Sequence, residues 1–101
     1  MALAWRSEPT PIRVGEVTIV FELADSAGNP ISGSELAIEA SMTHPGMLPV
    51  RALVEEAEPG VYRSELAVSM PGSWYIVVGG RLPDGTQLER EIQFRVMAAG
   101  R

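Results

Sequence analysis

Five stretches of this chain carry apolar side chains on a two-residue beat, and that beat limits what the chain can become. Val17, Ile19, Phe21 and Leu23 alternate with Thr18, Val20 and Glu22. Leu36, Ile38, Ala40 and Met42 alternate with Glu35, Ala37, Glu39 and Ser41. Tyr62, Leu66, Val68 and Met70 stand on one parity against Arg63, Glu65 and Ser69, and Trp74, Ile76 and Val78 follow. Leu88, Ile92, Phe94 and Val96 face away from Glu89, Glu91, Gln93 and Arg95. An extended backbone turns such a pattern into one apolar face, whereas a helix would scatter it around its circumference. Turn formers separate the stretches. Asp25-Ser26-Ala27-Gly28-Asn29-Pro30 and Pro83-Asp84-Gly85-Thr86 both supply the fixed or positive φ angles that reversals need.

The remaining segments are less regular. Residues 2–13 contain Pro9 and Pro11, which predicts only a short edge strand near residues 3–6, with Trp5 at the rim of the core. Residues 50–56 hold good helix formers but are short and flanked by Pro49 and Pro59, so they read as a strand. Arg90 interrupts the inner face of the last strand, and the buried part is expected to begin after it. Residues 98–101 read as a frayed tail. A chain of 101 residues supports one core, so one domain over 1–101 with its core at about 11–97 is expected. Short strands, turn signals and no long helix predict an all-β antiparallel sandwich of about seven strands.

Composition closes several functional classes. The net charge is −5, and the eight basic residues are all scattered arginines, which argues against nucleic acid as a partner. There is no cysteine, so disulfides, thiolate metal sites and cysteine nucleophiles are absent. No apolar run approaches the ~20 residues of a membrane helix. The opening M-A-L-A-W-R-S-E lacks the charged and apolar regions of an export signal. An export signal or membrane anchor upstream of Met1 is nevertheless the preferred expectation, on grounds that appear below. The serines lack a nucleophile-elbow glycine pattern and share one histidine, Glu55, Glu56 and Glu58 read as a solvated face, and no catalytic constellation emerges. The chain is expected not to be an enzyme. Gly79-Gly80 reads as a bulge or a close backbone approach.

One stretch stands out chemically. S-M-T-H-P-G-M-L-P-V, residues 41–50, holds Met42, Met47 and the single histidine, His44, braced by Pro45, Gly46 and Pro49. Met70-Pro71-Gly72-Ser73-Trp74 brings a further methionine to a strand end. If successive strands run antiparallel, both places lie at one end of the sandwich, where three thioethers and one imidazole converge. Thioether sulfur is soft and does not protonate, which favours Cu(I), and imidazole also suits copper. Neutral imidazole is the coordinating form, so affinity falls as the histidine protonates near its ordinary pKa of about 6.5. Zinc fits less well, since thioethers are poor ligands for it. The plainer alternative is that Met42 and Met70 fill gaps at the end of a core and His44 is solvated.

The order of these motifs adds a further reading. Gly15-x-Val17, Asp25-x-x-Gly28-x-Pro30, Met42-x-His44-x-Gly46-Met47, Gly60-x-Tyr62 and Met70-x-Gly72-x-Trp74 together resemble the YtkA-like domain family, over about residues 11–97. The resemblance implies an immunoglobulin-like β-sandwich outside the cytoplasm, periplasmic or otherwise extracytoplasmic and often behind a signal or membrane anchor. It also implies kinship with FixH-like proteins and other small copper-handling sandwiches. Met42, His44, Met47 and Met70 stand where the family's methionine- and histidine-rich rim lies. The chain departs from that pattern in having one histidine, so a second imidazole is missing. The expected function is storage or delivery of Cu(I) to a protein acceptor or envelope partner, with Trp74 and Tyr62 packed behind the site. The alternative is a metal-free immunoglobulin-like interaction domain of an envelope assembly.

Overall fold

Each alternating stretch becomes a strand in the computed structural model, which describes residues 1–43, 46 and 48–99. In chain order the strands are β1 (Ala2–Glu8), β2 (Gly15–Ala24), β3 (Glu35–Met42), β4 (Val50–Leu53), β5 (Glu55–Glu58), β6 (Val61–Val68), β7 (Gly72–Arg81) and β8 (Gln87–Val96). One sheet has the order β1-β2-β6-β5 and the other β4-β3-β7-β8, with antiparallel pairing between all neighbours. The inner faces meet over Trp74, Tyr62, Phe21, Ile19, Ile38 and Ile76, all essentially inaccessible to water. This is an immunoglobulin-like sandwich, and among the described residues it contains no helix.

Eight strands form rather than about seven because residues 50–58 make two. Val50–Leu53 pairs with β3, and after Val54 the chain enters the opposite sheet, where Glu55–Glu58 pairs with β6. Half-buried Val50, Ala52 and Val54 keep the two-residue beat. Beyond Val54 every β5 side chain is exposed, so no apolar beat announces that strand. Ser64, buried on β6, donates its hydroxyl to the Leu53 carbonyl (2.8 Å) and ties the crossing point to the first sheet.

Three other expectations change. β1 runs the full length Ala2–Glu8, since its prolines lie beyond the strand, and Trp5 packs at a tilt of 55° against Phe94 of β8, ring centroids 6.2 Å apart. The buried part of β8 begins at Leu88, before Arg90, which is exposed and interrupts the inner row between buried Leu88 and Ile92. Val20 is on the outer face of β2 yet fully buried. Its register partners on either side are Arg6 and Arg63, which pair with Glu22 (2.7 Å) and Glu8 (2.8 Å).

The loops opposite the rim are fixed by carboxylates and one phenol. Asp25 accepts the amides of Ala27 and Asn29, both at 2.9 Å. The Tyr62 hydroxyl donates to the Ile31 carbonyl (2.7 Å) and accepts the Ser34 amide (3.1 Å). Glu56 accepts the amides of Gly33 and Gly60, both at 3.0 Å, pinning two turns to β5.

Candidate functional site

β3 and β7 are neighbours and run in opposite directions, so the end of one lies beside the start of the other. Met42 is the last residue of β3 and faces Trp74 across the ladder. The Thr43 amide then donates to the Ser73 carbonyl (3.1 Å), extending the pairing past the strand end. Trp74 is fully buried and satisfies its one polar atom by donating the indole N–H to the Met70 carbonyl (2.9 Å). That bond folds the Met70-Pro71-Gly72 turn back over the rim.

Met42 touches this turn directly. Gly72 has a φ of +132°, and a Cβ built on it would stand 2.9 Å from the Met42 terminal methyl. Glycine is favoured there by the backbone conformation, and any larger residue would also have to displace the flexible end of the Met42 side chain. Met42 is 6% exposed, while Met70, two residues before Gly72, is 41% exposed. Of the sequence-derived ligands, the structure thus brings Met42 and the Met70 turn to one end. His44 and Met47 lie outside the described residues. Tyr62 does not back the site: it sits opposite Phe21, towards the end of β2 remote from Gly15, whereas the Met70 end is marked by Gly15 opposite Val68. Only Trp74 has the scaffold role expected of the pair.

One methionine escaped the sequence reading. Val96, the last residue of β8, stands opposite Gly72, so Met97 emerges at the same rim. Its amide donates to the Ile12 carbonyl (2.8 Å) and its carbonyl accepts the Val14 amide (3.0 Å). The signal available was the shared direction of β3 and β8, which only the topology reveals.

Among the described residues no three histidine, aspartate or glutamate side chains gather as metal ligands would. Glu56 is held below the usual carboxylate range by the Gly33 and then the Gly60 amide, a turn-fixing role. Asp25 and Asp84 are lowered in the same way, chiefly by the backbone amides of Asn29 and Thr86 respectively. The outer face of the second sheet carries a shallow groove where Ala37 and Gly79 leave a dent beneath exposed Leu53, flanked by Glu39 and Glu89.

The fold recurs in solved structures. The PmoD soluble domain from Methylocystis sp. ATCC 49242 superposes with a TM-score of 0.63 at 14% identity, covering 93% of this chain and 90% of that one. The Lin-41 filamin domain gives 0.62 at 18%, covering 91% and 90%. CopC from Methylosinus trichosporium OB3b gives 0.58 at 17%, covering 98% and 95%. The chain also spans 16% of a longer Bacteroides vulgatus protein described as a glycoside hydrolase. At such identities the likeness is one of fold. No curated protein is similar in sequence. The YtkA-like family model matches residues 4–79, a span that holds Met42, His44, Met47, Met70 and Trp74. By that match the chain belongs to the YtkA-like family.

Proposed function

We propose that this chain is a non-enzymatic, extracytoplasmic module that holds Cu(I) at the rim of its sandwich and passes it to a protein acceptor. The observation that carries the reading is the meeting of Met42 with the Met70 turn, the thioether methyl of one closing on Gly72 of the other. Soft neutral sulfur at a strand end, with no carboxylate cluster among the described residues, is chemistry that selects Cu(I) over hard or borderline ions. Met42, Met47 and Met70 supply sulfur and His44 supplies nitrogen. Trp74 holds the Met70 backbone in place, which lowers the ordering cost of assembling the ligands. The family's resemblance to small copper-handling sandwiches and the fold shared with CopC and the PmoD soluble domain support the same reading. An export signal or membrane anchor ahead of Met1 belongs to this proposal.

The test is a Cu(I) competition titration against a chromogenic chelator, with His44→Ala and Met47→Leu beside the parent chain. Tight binding that the variants lose supports the proposal. No competition at micromolar protein overturns it.

A second reading rests on a separate observation. β8 is an edge strand, pairing with β7 on one side only, and the fold is shared with a filamin domain. In this reading the chain is a metal-free interaction domain that takes a partner strand on that edge. Partner binding that survives His44→Ala and fails when proline replaces Gln93 would favour it.

A further inference from the structure

The chain has five methionines, and the topology sends the four described ones to opposite ends unequally. Met1 precedes Ala2, which pairs with Ala24 at the end of β2 remote from the rim. Met42, Met70 and Met97 belong to the other end, where β3 and β8 finish and β7 starts. Within that group the burial differs sharply. Met42 is sealed against Gly72, whereas Met70 and Met97 are 41% and 44% exposed.

Register brings the two exposed methionines to one rim. Gly72 and Val96 are ladder partners, so their Cα atoms stand about 5 Å apart. From that rung Met97 lies one residue away along one chain and Met70 two along the adjacent chain, which bends at Met70 and Pro71. Each step adds at most 3.8 Å between Cα atoms. Both backbones are fixed. The Met97 amide and carbonyl are bonded to Ile12 and Val14, and the Met70 carbonyl receives the Trp74 indole N–H. Their flexible side chains extend from fixed positions into water, where a soft cation arriving from solvent meets them before it meets Met42.

We propose that Met97 is a further thioether ligand of this rim, forming with Met70 the solvent-facing entry site at which a soft monovalent cation first binds. The proposal rests on the Cu(I) reading above and adds a residue outside the span matched by the family model. Entry at two open thioethers followed by transfer to the enclosed Met42 gives the ion a graded path, loosely held outside and more fully coordinated within. Thioethers do not titrate, so the entry step is independent of pH, in contrast to a step that uses His44.

The experiment labels the methionine methyl groups with carbon-13 and titrates the full chain anaerobically with Cu(I) supplied as its acetonitrile complex. The expected result is that the Met70 and Met97 methyl signals move together at the first additions, while Met1, at the far end, stays still. Met97→Leu keeps the side-chain volume and the backbone bonds, and should weaken binding by at least about tenfold, as loss of a ligand should exceed the loss of its supporting partner. If Met42 or Met70 shifts while Met97 does not, Met97 is no ligand and the Cu(I) reading still stands. If no methyl shifts, both fail. Should Met97→Leu not fold, the methyl shifts of the parent chain decide alone.

Discussion

The terminal methyl of Met42 fills the space above Gly72 that any other side chain would need, standing 2.9 Å from where a Cβ would lie. The two residues are consequently one packing unit. Gly72→Ala should destabilise the chain by about 1–3 kcal/mol through overpacking and a strained φ. Met42→Ala should cost about 2–5 kcal/mol as a core truncation. Combined, they should cost less than the sum, because removing the thioether frees the space that alanine needs. Denaturant unfolding of the four chains in this cycle measures the coupling, and strict additivity would show that the two sites do not feel each other.

Gly79 and Gly80 are neighbours in sequence with opposite tolerances. A Cβ on Gly80 would lie 1.8 Å from the Glu35 carbonyl oxygen, a clash with backbone that no side-chain motion relieves. On Gly79 the nearest atom is the Leu88 carbonyl oxygen at 3.6 Å, ordinary contact. Gly80→Ala should therefore cost about 4 kcal/mol or more, whereas Gly79→Ala should stay within about 0.5 kcal/mol. Thermal unfolding of the two variants side by side checks the contrast.

The Glu56 carboxylate sets an acid limit on two turns. The Gly33 amide, and after it the Gly60 amide, favour its charged form and lower its pKa below the ordinary carboxylate value. The unfolded chain then binds more protons than the folded one as pH falls through this range, so stability is present above the ordinary pKa and lost through the lowered one. Asp25 and Asp84 act with the same sign. Glu56→Gln should leave a shallower loss of unfolding midpoint between neutral pH and about pH 3 than the parent chain shows. An identical slope would remove Glu56 from the account.

Tyr62→Phe leaves the Ser34 amide and the Ile31 carbonyl without the hydroxyl that joins them. The change should cost about 1–3 kcal/mol in denaturant unfolding. Because Tyr62 lies remote from the methionine end, Cu(I) affinity should be unaffected. A drop in affinity matching that of Met70→Leu would contradict the placement of the site.

How much of this could be read in the sequence depended on whether a feature was periodic. The inner faces of β2, β3 and β7 follow directly from alternation, and the same parity placed Met42 at the enclosed end of its strand. Glu55–Glu58 was invisible as a strand of its own because it has no inner face to alternate with. Val20 looked like an outer residue and is one, yet it is buried between two arginine register partners, and such neighbours depend on cross-strand pairing. The tie from Trp74 to Met70, the grip of Glu56 on Gly33 and Gly60, and the arrival of Met97 at the rim all join residues that only the assembled topology brings together. Turn chemistry showed where the chain reverses, and parity showed which side is inward. Neither shows which strands become neighbours.

The passage of the chain through Val54 gives the sandwich the mechanics of a bound book. Along that side the two layers share a covalent spine one residue wide, reinforced by the bond from Ser64 to Leu53. Along the opposite side the covers meet through Trp5 on Phe94 and a clasp of two backbone bonds, from Met97 to Ile12 and from Val14 to Met97. Thermal opening therefore has one favoured direction, with the β1 and β8 margins parting while the spine holds. The clasp lies where Met97 leaves β8, so parting that margin would also loosen the methionine rim.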